Sequence, residues 1–222
     1  DPNGEASGAS FVVFGKTDSQ AVELSAVEAG TGGFVINGVS AFDQSGRSVS
    51  SAGDVNGDGF DDLIIGARYD TPNGTSSGSS FVVFGGNFTG SATQVGSTGD
   101  DTLTGTVGSD VLIAGTGADT LIGSGGADIL RGGAGDDILA ISDTTFSKIE
   151  GGSGLDTLRL DGAGMFLDLS MITDSTVTEM ERIDLSGNGN SVYLNALEVL
   201  RLSDSSNTVR LLGSDANRAT LS

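Results

Sequence analysis

The 222-residue chain has no cysteine, no histidine and no tryptophan, and it contains only two prolines and ten lysine or arginine residues. Without cysteine, disulfides contribute nothing to the stability of this fold. Without histidine or cysteine, the Ser-His, Cys-His and zinc-water chemistries are excluded within the chain. No apolar run approaches membrane-spanning length. These absences argue against an enzyme and against membrane insertion.

Basic residues are scarce relative to acidic ones. Asp and Glu number 30 against 10 Lys and Arg, and the formal net charge is −20. No basic residue lies between Arg68 and Arg131. Because phosphate binding requires Lys and Arg, the composition predicts no nucleic-acid partner and disfavours anionic membrane surfaces. Most of the acids are Asp, whose short side chain suits turn and metal-ligand positions.

Nine-residue repeats dominate what is present. Residues 96–140 read GSTGDDTLT, GTVGSDVLI, AGTGADTLI, GSGGADILR and GGAGDDILA, and GGSGLDTLR returns at 151–159. The fourth position is always Gly, the sixth is always Asp and the eighth is always Leu. Glycine permits left-handed turns, Asp supplies hard oxygen ligands for calcium, and one Leu per unit fills a narrow core.

This pattern resembles the RTX calcium-binding nonapeptide repeat. The resemblance implies turns of six residues, strands of three, and a parallel β-roll in which calcium lies between a turn and the turn two units later. Turn 96–101 then faces 114–119, turn 105–110 faces 123–128, and turn 114–119 faces 132–137, which gives about three shared sites. Turn 151–156 either holds another ion or is only a turn. The implied metal-site residues are Gly96, Gly99, Asp101, Gly105, Gly108, Asp110, Gly117, Asp119, Gly123, Gly126, Asp128, Gly132, Gly135, Asp137 and Asp156.

Some repeat positions depart from the pattern. Ala114 replaces the first Gly, and Ser97, Thr106 and Ser124 replace the second. We expect the first three turns to bind calcium less tightly than the fifth. Residues 96–140 hold seven acids and one base, so three divalent ions would cancel their net charge of −6. With so little core, folding is expected to depend on the metal. A flexible Asp- and Gly-rich linker is the alternative, which the strict phasing disfavours.

A second acidic loop, DVNGDGFDD, occupies residues 54–62. Its oxygen-bearing side chains and glycine bends favour a hard-cation site over an ion-free acidic turn. An EF-hand would need Glu at the twelfth position, which is Ile65 here, and a strand-like run follows. The sequence GRSVSSAGDVNGDGFDDLIIGAR, followed by GSSFVVFGG, resembles the FG-GAP repeat of integrin-like β-propellers. That resemblance implies a calcium-pinned loop between two strands of a blade, with ligands Asp54, Asn56, Asp58, Phe60 (main chain) and Asp62.

An internal repeat supports this assignment. The sequence FVVFG occurs at residues 11–15 and again at 81–85. It predicts the end of one blade followed by one whole blade, with the four phenylalanines in the blade core. Because one blade cannot close a propeller, we expect the chain to be a piece of a longer protein.

The remaining sequence, residues 141–222, is rich in period-two segments and predicts a continuing β-solenoid or a small sandwich. Its stretch EMERIDLSGNGNSVYLN resembles the segment that often follows RTX blocks in very large bacterial surface proteins. SAVEA and NALEVL could each form a helical turn. The predicted class is all-β: an FG-GAP propeller portion (1–90), a junction (91–95), an RTX β-roll (96–140), and a strand-rich, solenoid-like region (141–222).

Together the resemblances imply a calcium-binding structural and adhesive segment of a secreted or surface-anchored bacterial protein, which folds on calcium after export. The implied partners are calcium ions and cell-surface or extracellular-matrix ligands. Carboxylate pairs such as Asp136-Asp137 could serve a glycosidase, but they fall within metal motifs, and no enzymatic activity is predicted. The alternative is an export and stability module of a secreted hydrolase whose catalytic domain lies elsewhere. The RTX block and the missing cysteines argue against a eukaryotic integrin-like receptor.

Overall fold

A computed structural model of the protein describes residues 3–16, 19–88, 90–185, 189–203, 207–213 and 218–221. The chain divides into two compact units. The first comprises residues 1–55 and 60–89, and the second comprises residues 56–59 and 90–222. Strands make up most of the regular structure in the described residues, and the all-β prediction is confirmed.

The first unit consists of antiparallel strands and one short helix. Its elements are β1 (Ala9–Val13), α1 (Leu24–Glu28), β2 (Gly33–Asn37), β3 (Ser45–Gly53), β4 (Asp62–Ala67) and β5 (Ser79–Val83). Strands β1 and β2 form one sheet, and a second sheet has the order β3-β4-β5. The acidic loop joins antiparallel neighbours β3 and β4, as the sequence predicts. The two FVVFG sequences correspond to β1 and β5 with the residues that follow them.

The prediction that all four phenylalanines lie in a blade core is wrong. Phe11 is 41% exposed and Phe84 is 55% exposed. Side chains alternate between the faces of a strand, and on β1 the buried face carries Ser10 rather than Phe11. Phe14 does contact another ring, because its centroid lies 6.0 Å from that of Phe34.

The second unit contains parallel sheets. Its elements are β6 (Gln94–Val95), β7 (Thr102–Thr104), β8 (Val111–Thr116), β9 (Thr120–Ile122), β10 (Ile129–Ala134), β11 (Ile138–Ile141), β12 (Lys148–Ser153), β13 (Thr157–Leu160), β14 (Phe166–Asp168), a 3-10 helix (Leu169–Met171), β15 (Val177–Thr178), β16 (Arg182–Asp184), β17 (Ser191–Leu194), α2 (Ala196–Leu202), β18 (Arg210–Leu212) and β19 (Arg218–Leu221). The sheet orders are β15-β12-β10-β8-β6, β18-β16-β13-β11-β9-β7 and β14-β17-β19.

Over the repeats, successive strands alternate between the first two of these sheets. Strand β8 pairs with β10, and β9 pairs with β11, so each residue lies beside the residue eighteen positions later. This is the two-unit period expected of the β-roll. The eighth-position leucines point inward, and Leu112, Leu121, Leu130 and Leu139 are fully buried. One Leu per unit therefore forms the core of the roll, as predicted.

Among the described residues, five strands after residue 140 join the same two sheets, and β14, β17 and β19 form a separate sheet. Strands β12 and β15 extend the first sheet beyond β10, and β13, β16 and β18 extend the second beyond β11. Their inward side chains, including Ile149, Leu158 and Ile183, continue the leucine core. The predicted helical turns are present as α1 and α2. Residues 186–188 of the RIDLSGNGN segment lie outside the described residues.

Candidate metal sites

The glycine- and aspartate-bearing turns of the repeats stack in two columns. We call turns 96–101, 114–119, 132–137 and 151–156 the first column, and turns 105–110 and 123–128 the second column. The strands that follow the turns fix this arrangement, because Thr102 pairs with Thr120 and Val111 with Ile129. The last step of the first column is 19 residues long, because Leu139 pairs with Leu158. The predicted facing turns therefore do lie next to one another, and turn 151–156 extends the first column.

Each Asp in a column is hydrogen-bonded to the Asp of the next turn. In the first column, the backbone N–H of Asp101 donates to Oδ1 of Asp119 (2.7 Å) and that of Asp119 donates to Oδ1 of Asp137 (2.8 Å). The N–H of Asp137 donates to Oδ1 of Asp156 (2.8 Å). In the second column, the N–H of Asp110 donates to Oδ1 of Asp128 (2.9 Å). One carboxylate oxygen of each acceptor Asp thus holds the preceding turn in place.

The other oxygen of three first-column Asp residues has no such role. Oδ2 of Asp119, Asp137 and Asp156 is buried without a hydrogen-bond partner among the described residues. Each of these side chains is at most 1% exposed. A buried carboxylate oxygen without a partner is costly, and a bound cation would offset that cost. These atoms therefore fit the calcium sites that the repeat implies.

Glycine at the first position leaves space beside these oxygens. A Cβ on Gly105 would lie 2.9 Å from Oδ2 of Asp110 and 2.8 Å from the carbonyl oxygen of Gly123. A Cβ on Gly132 would collide with Oδ2 of Asp137 and with the carbonyl oxygen of Gly151. Gly96 and Gly123 likewise have the Asp oxygen of their own unit beside them. The first Gly of a unit thus lies between the Asp carboxylate of its own unit and a backbone carbonyl of the next turn in the column.

Glycine at the fourth position permits the turns to stack closely. Gly117 (φ +135°), Gly126 (φ +109°) and Gly135 (φ +137°) have left-handed backbone. A Cβ on Gly135 would collide with the carbonyl of Gly117, and a Cβ on Gly126 would collide with that of Gly108. Gly99 begins the first column and has open space at its Cα. The fourth-position glycines therefore set the spacing between turns.

At two positions that depart from the repeat, Ser97 and Thr106 donate hydrogen bonds to the Asp carboxylate of their own turn. Oδ2 of Asp101 accepts hydrogen bonds from the N–H and the hydroxyl of Ser97, at 2.6 and 2.8 Å. Oδ2 of Asp110 accepts from the N–H and hydroxyl of Thr106, at 2.6 and 2.9 Å. At the same repeat position Ser124 has a φ of +66°, a strained conformation for a residue with a Cβ.

The electrostatics differ along the first column. Burial raises the pKa of Asp137 to about 6 and that of Asp156 to about 7, and the charges of neighbouring carboxylates act in the same direction. Burial also raises the pKa of Asp119. The N–H and then the hydroxyl of Ser97 hold the pKa of Asp101 below its ordinary value. Negative charge is therefore least tolerated where the Asp oxygens lack partners.

In the acidic loop 54–62, Asp62 of the first unit has a clear structural role. Its side chain is fully buried. Oδ2 accepts a hydrogen bond from the N–H of Val55 (2.8 Å), and Oδ1 accepts one from the N–H of Gly85 (2.8 Å). Asp62 thus ties the start of the loop to the FVVFGG sequence. A Cβ at Gly85 would collide with the carbonyl of Asp61, so glycine is required there.

Asn56 and Asp58 belong to the second unit and bond to each other. The Asn56 amide donates to Oδ2 of Asp58 (2.8 Å), and the N–H of Asp58 donates to Oδ1 of Asn56 (3.2 Å). Asp54 is exposed and Phe60 is partly buried. For both Asn56 and Asp58 to present oxygens to one cation, the amide hydrogen bond between them would have to break. The loop has the donor types for calcium, but its fit is less direct than that of the roll.

The structure adds acidic residues that the repeat pattern misses. The first column continues to Glu181, whose Oε2 accepts the N–H of Asp156 (2.9 Å). In the second column Asp143 lies against turn 123–128, and its Oδ2 accepts the N–H of Gly126 (3.4 Å). Neither residue is in phase with the nonapeptide. Within the described parts of the chain, no three acidic side chains cluster as a metal site, so backbone carbonyls or water molecules would complete any calcium shell.

Comparison with known families agrees with both motifs. Residues 95–130 and 104–139 match the RTX calcium-binding nonapeptide repeat (4 copies), and residues 45–83 match the FG-GAP repeat. The chain therefore contains RTX nonapeptide repeats, which bind Ca²⁺, and an FG-GAP repeat. Comparisons with curated proteins and with solved structures found no match.

These families set a broad functional context. RTX repeat proteins are typically secreted, FG-GAP repeats are of extracellular type, and both repeats are typically non-catalytic structural domains. In the described part of the chain, no helix has the length and apolar character needed to cross a membrane.

Proposed function

We propose that this protein is a calcium-dependent structural segment of a secreted or cell-surface bacterial protein, and that its roll folds when it meets calcium after export. The observation that carries the proposal is the row of buried Oδ2 atoms of Asp119, Asp137 and Asp156 without hydrogen-bond partners. Each of these atoms lies in a turn of the stacked first column. Beside Asp137 and Asp156, a backbone carbonyl of a later segment (Gly151 and Glu179, respectively) lies near the same glycine.

Within the roll, calcium binds between successive turns of a column. The ligands are the sixth-position Asp carboxylates together with backbone oxygens of the glycine-rich turns. In the first column the intervals lie between turns 96–101, 114–119, 132–137 and 151–156, and in the second column between 105–110 and 123–128. Turns with Ser97 or Thr106 bind less tightly, because a hydroxyl of the same turn already bonds to the Asp oxygen.

Charge is the reason that folding depends on the ion. Residues 96–140 contain seven acids and one base, Arg131, and that base pairs with Glu150 at 3.3 Å. Without calcium the Asp rows repel one another, and the core that opposes this repulsion is a single row of leucines per face. In the cytoplasm, where calcium is scarce, the chain stays extended. It folds where calcium is of the order of 10⁻⁴ to 10⁻³ M, the range of extracellular modules.

The remaining regions serve contact and spacing. Residues 1–90 form part of a β-propeller, in which Asp54, Asn56, Asp58, the Phe60 carbonyl and Asp62 bind a further calcium. This portion contacts cell-surface or extracellular-matrix ligands. The roll (96–140) and the solenoid-like region (141–222), joined through residues 91–95, act as a spacer. The segment has no catalytic activity of its own.

The test is a calcium titration of the full chain followed by far-UV circular dichroism, with magnesium as the matched control. We expect a cooperative gain of β-sheet signal with calcium and none with magnesium, because the site suits a larger, more flexibly coordinated ion. Hydrogen exchange resolved by peptide should place the gain in residues 96–159. Equal β-sheet signal and equal exchange in chelator and in calcium would contradict the proposal.

A further inference from the structure

The first column of Asp residues does not end with the repeats. The N–H of Asp156 donates to Oε2 of Glu181 at 2.9 Å, just as the N–H groups of Asp101, Asp119 and Asp137 donate to the next Asp of the column. Glu181 thus occupies the position of the next sixth-position Asp. It lies 25 residues after Asp156 rather than 18, outside the matched RTX segments.

The carbonyl of Glu179 also occupies the place that a glycine carbonyl takes in the repeats. A Cβ on Gly151 would lie 2.7 Å from Oδ2 of Asp156 and would collide with the carbonyl oxygen of Glu179. At Gly132, the same two places are taken by Oδ2 of Asp137 and the carbonyl oxygen of Gly151. Glu179 has a left-handed backbone (φ +58°), a strained conformation for a residue with a Cβ. Its carbonyl therefore substitutes for that of the first glycine of a repeat.

Two carboxylates are buried at this point. Asp156 is fully buried and its Oδ2 has no hydrogen-bond partner, while Glu181 is only 6% exposed. Arg182, the adjacent base, directs a guanidinium N–H to the carbonyl of Leu155 (3.2 Å). Two buried carboxylates in contact with the same turn are costly unless a cation or a proton compensates them.

We propose that turn 151–156 and the segment 179–181 form a calcium site outside the nonapeptide pattern, with ligands from the carboxylates of Asp156 and Glu181 and the carbonyl oxygen of Glu179. The inference rests on the proposed function, because it extends calcium binding between stacked turns to one more interval. The site joins the last RTX-like turn to strand β16 and so couples calcium to the region after residue 159.

The second column ends differently and supplies a control. Oδ1 of Asp143 accepts hydrogen bonds from the N–H and hydroxyl of Thr145, at 2.8 and 2.6 Å, and Oδ2 accepts from Gly126. The Thr145 hydroxyl oxygen also lies 3.1 Å from the carbonyl oxygen of Gly126. Both oxygens of Asp143 accept hydrogen bonds from the protein, so Asp143 lacks the unpartnered buried oxygen that marks Asp156.

The test counts calcium ions per chain by native mass spectrometry of the full protein. Glu181→Gln keeps an acceptor for the N–H of Asp156 but removes the charge, and it should bind one ion fewer than the wild type. Gly151→Ala should lose the same ion, because its Cβ would collide with the carbonyl oxygen of Glu179 and displace that ligand. Asp143→Asn should retain the wild-type number. Circular dichroism in saturating calcium checks that each variant folds.

The outcomes separate the two proposals. A wild-type chain that binds no calcium would overturn the proposed function and this inference together. A wild type that binds calcium, with Glu181→Gln and Gly151→Ala binding the same number at the same affinity, would overturn the inference alone. If both variants fail to fold, hydrogen exchange of the wild type decides. Peptides covering 151–156 and 179–181 should gain protection with calcium, and no gain there would refute the site.

Discussion

The backbone N–H of Asp137 donates a 2.8 Å hydrogen bond to Oδ1 of Asp156, while Oδ2 of Asp156 is buried without a partner. One carboxylate therefore does two things: one oxygen holds the preceding turn and the other is available to a cation. The same arrangement applies to Asp119 and Asp137. The proposed calcium sites and the stacking of turns in this column therefore use the same side chains.

Replacing Asp119 should be more damaging than replacing Asp101. Asp119 accepts from the N–H of Asp101 and donates its own N–H to Asp137, so its turn contacts neighbours on both sides. We expect Asp119→Ala to lower the free energy of unfolding in calcium by about 1–3 kcal/mol, the cost of leaving buried groups unsatisfied. Asp101→Ala, at the end of the column, is the matched control with a smaller effect. Equal shifts in the urea midpoint would contradict the two-unit stacking.

Adding a methyl group at Gly135 should destabilise the roll strongly. Its φ is +137°, and a Cβ would collide with the carbonyl of Gly117. We expect Gly135→Ala to cost at least about 1–3 kcal/mol in thermal unfolding, as overpacking and left-handed strain combine. Gly99→Ala is the control at the same repeat position, where a Cβ meets nothing within 4 Å. A similar loss of thermal stability in both variants would show that glycine is not needed at this position to let the turns stack closely.

Restoring glycine at Ser124 should stabilise the protein. Ser124 has a φ of +66°, whereas Ser97, at the same repeat position, lies outside the left-handed region. We expect Ser124→Gly to gain up to about 1 kcal/mol by relieving this strain, offset in part by the entropy of glycine in the unfolded chain. Ser97→Gly relieves no such strain and removes the hydroxyl that donates to Asp101, so any gain it gives should come from tighter calcium binding and should grow with calcium concentration. Chemical unfolding of both variants in calcium measures the difference.

Without calcium, acid should stabilise the roll. Burial raises the folded-state pKa of Asp137 to about 6 and of Asp156 to about 7, above the ordinary value of 3.8. The folded state therefore binds more protons than the unfolded state between about pH 7 and about pH 4, and its stability rises as the pH falls through that window. In chelator, where the roll is unfolded at about pH 8, the far-UV β-sheet signal should therefore be larger at about pH 5.

Saturating calcium should reverse this trend, because protons compete with the ion for the carboxylates. Asp137→Asn is the control variant, and its β-sheet signal in chelator should depend less on pH than that of the wild type. A β-sheet signal in chelator that falls on acidification through this window would contradict the assignment of buried, repelling carboxylates.

The repeat pattern was sufficient to predict the roll. A fixed nine-residue phase of Gly, Asp and Leu determines which residues turn, which side chains enter the core and which turns face each other. The strands, the buried leucines and the 18-residue register all agree with that phase. The pattern is informative because each of its three residue types performs one physical task at one position.

The ends of the columns could not be predicted in this way. Glu181 and Asp143 reach their turns through steps of irregular length, and their neighbours do not repeat the Gly-x-Gly signal. The exposure of Phe11 could not be predicted either. An alternating sequence shows which side chains share a face of a strand, but not which face is buried. Contacts between distant segments, not local patterns, decide both cases.

The most direct test of the account is a high-resolution crystal structure of the full chain grown with abundant calcium. We predict ions between the stacked turns, bound by the sixth-position carboxylates, with Oδ2 of Asp119, Asp137 and Asp156 among the ligands. An ordered roll that shows no ion at these oxygens would contradict the central claim that its aspartates are arrayed to bind calcium.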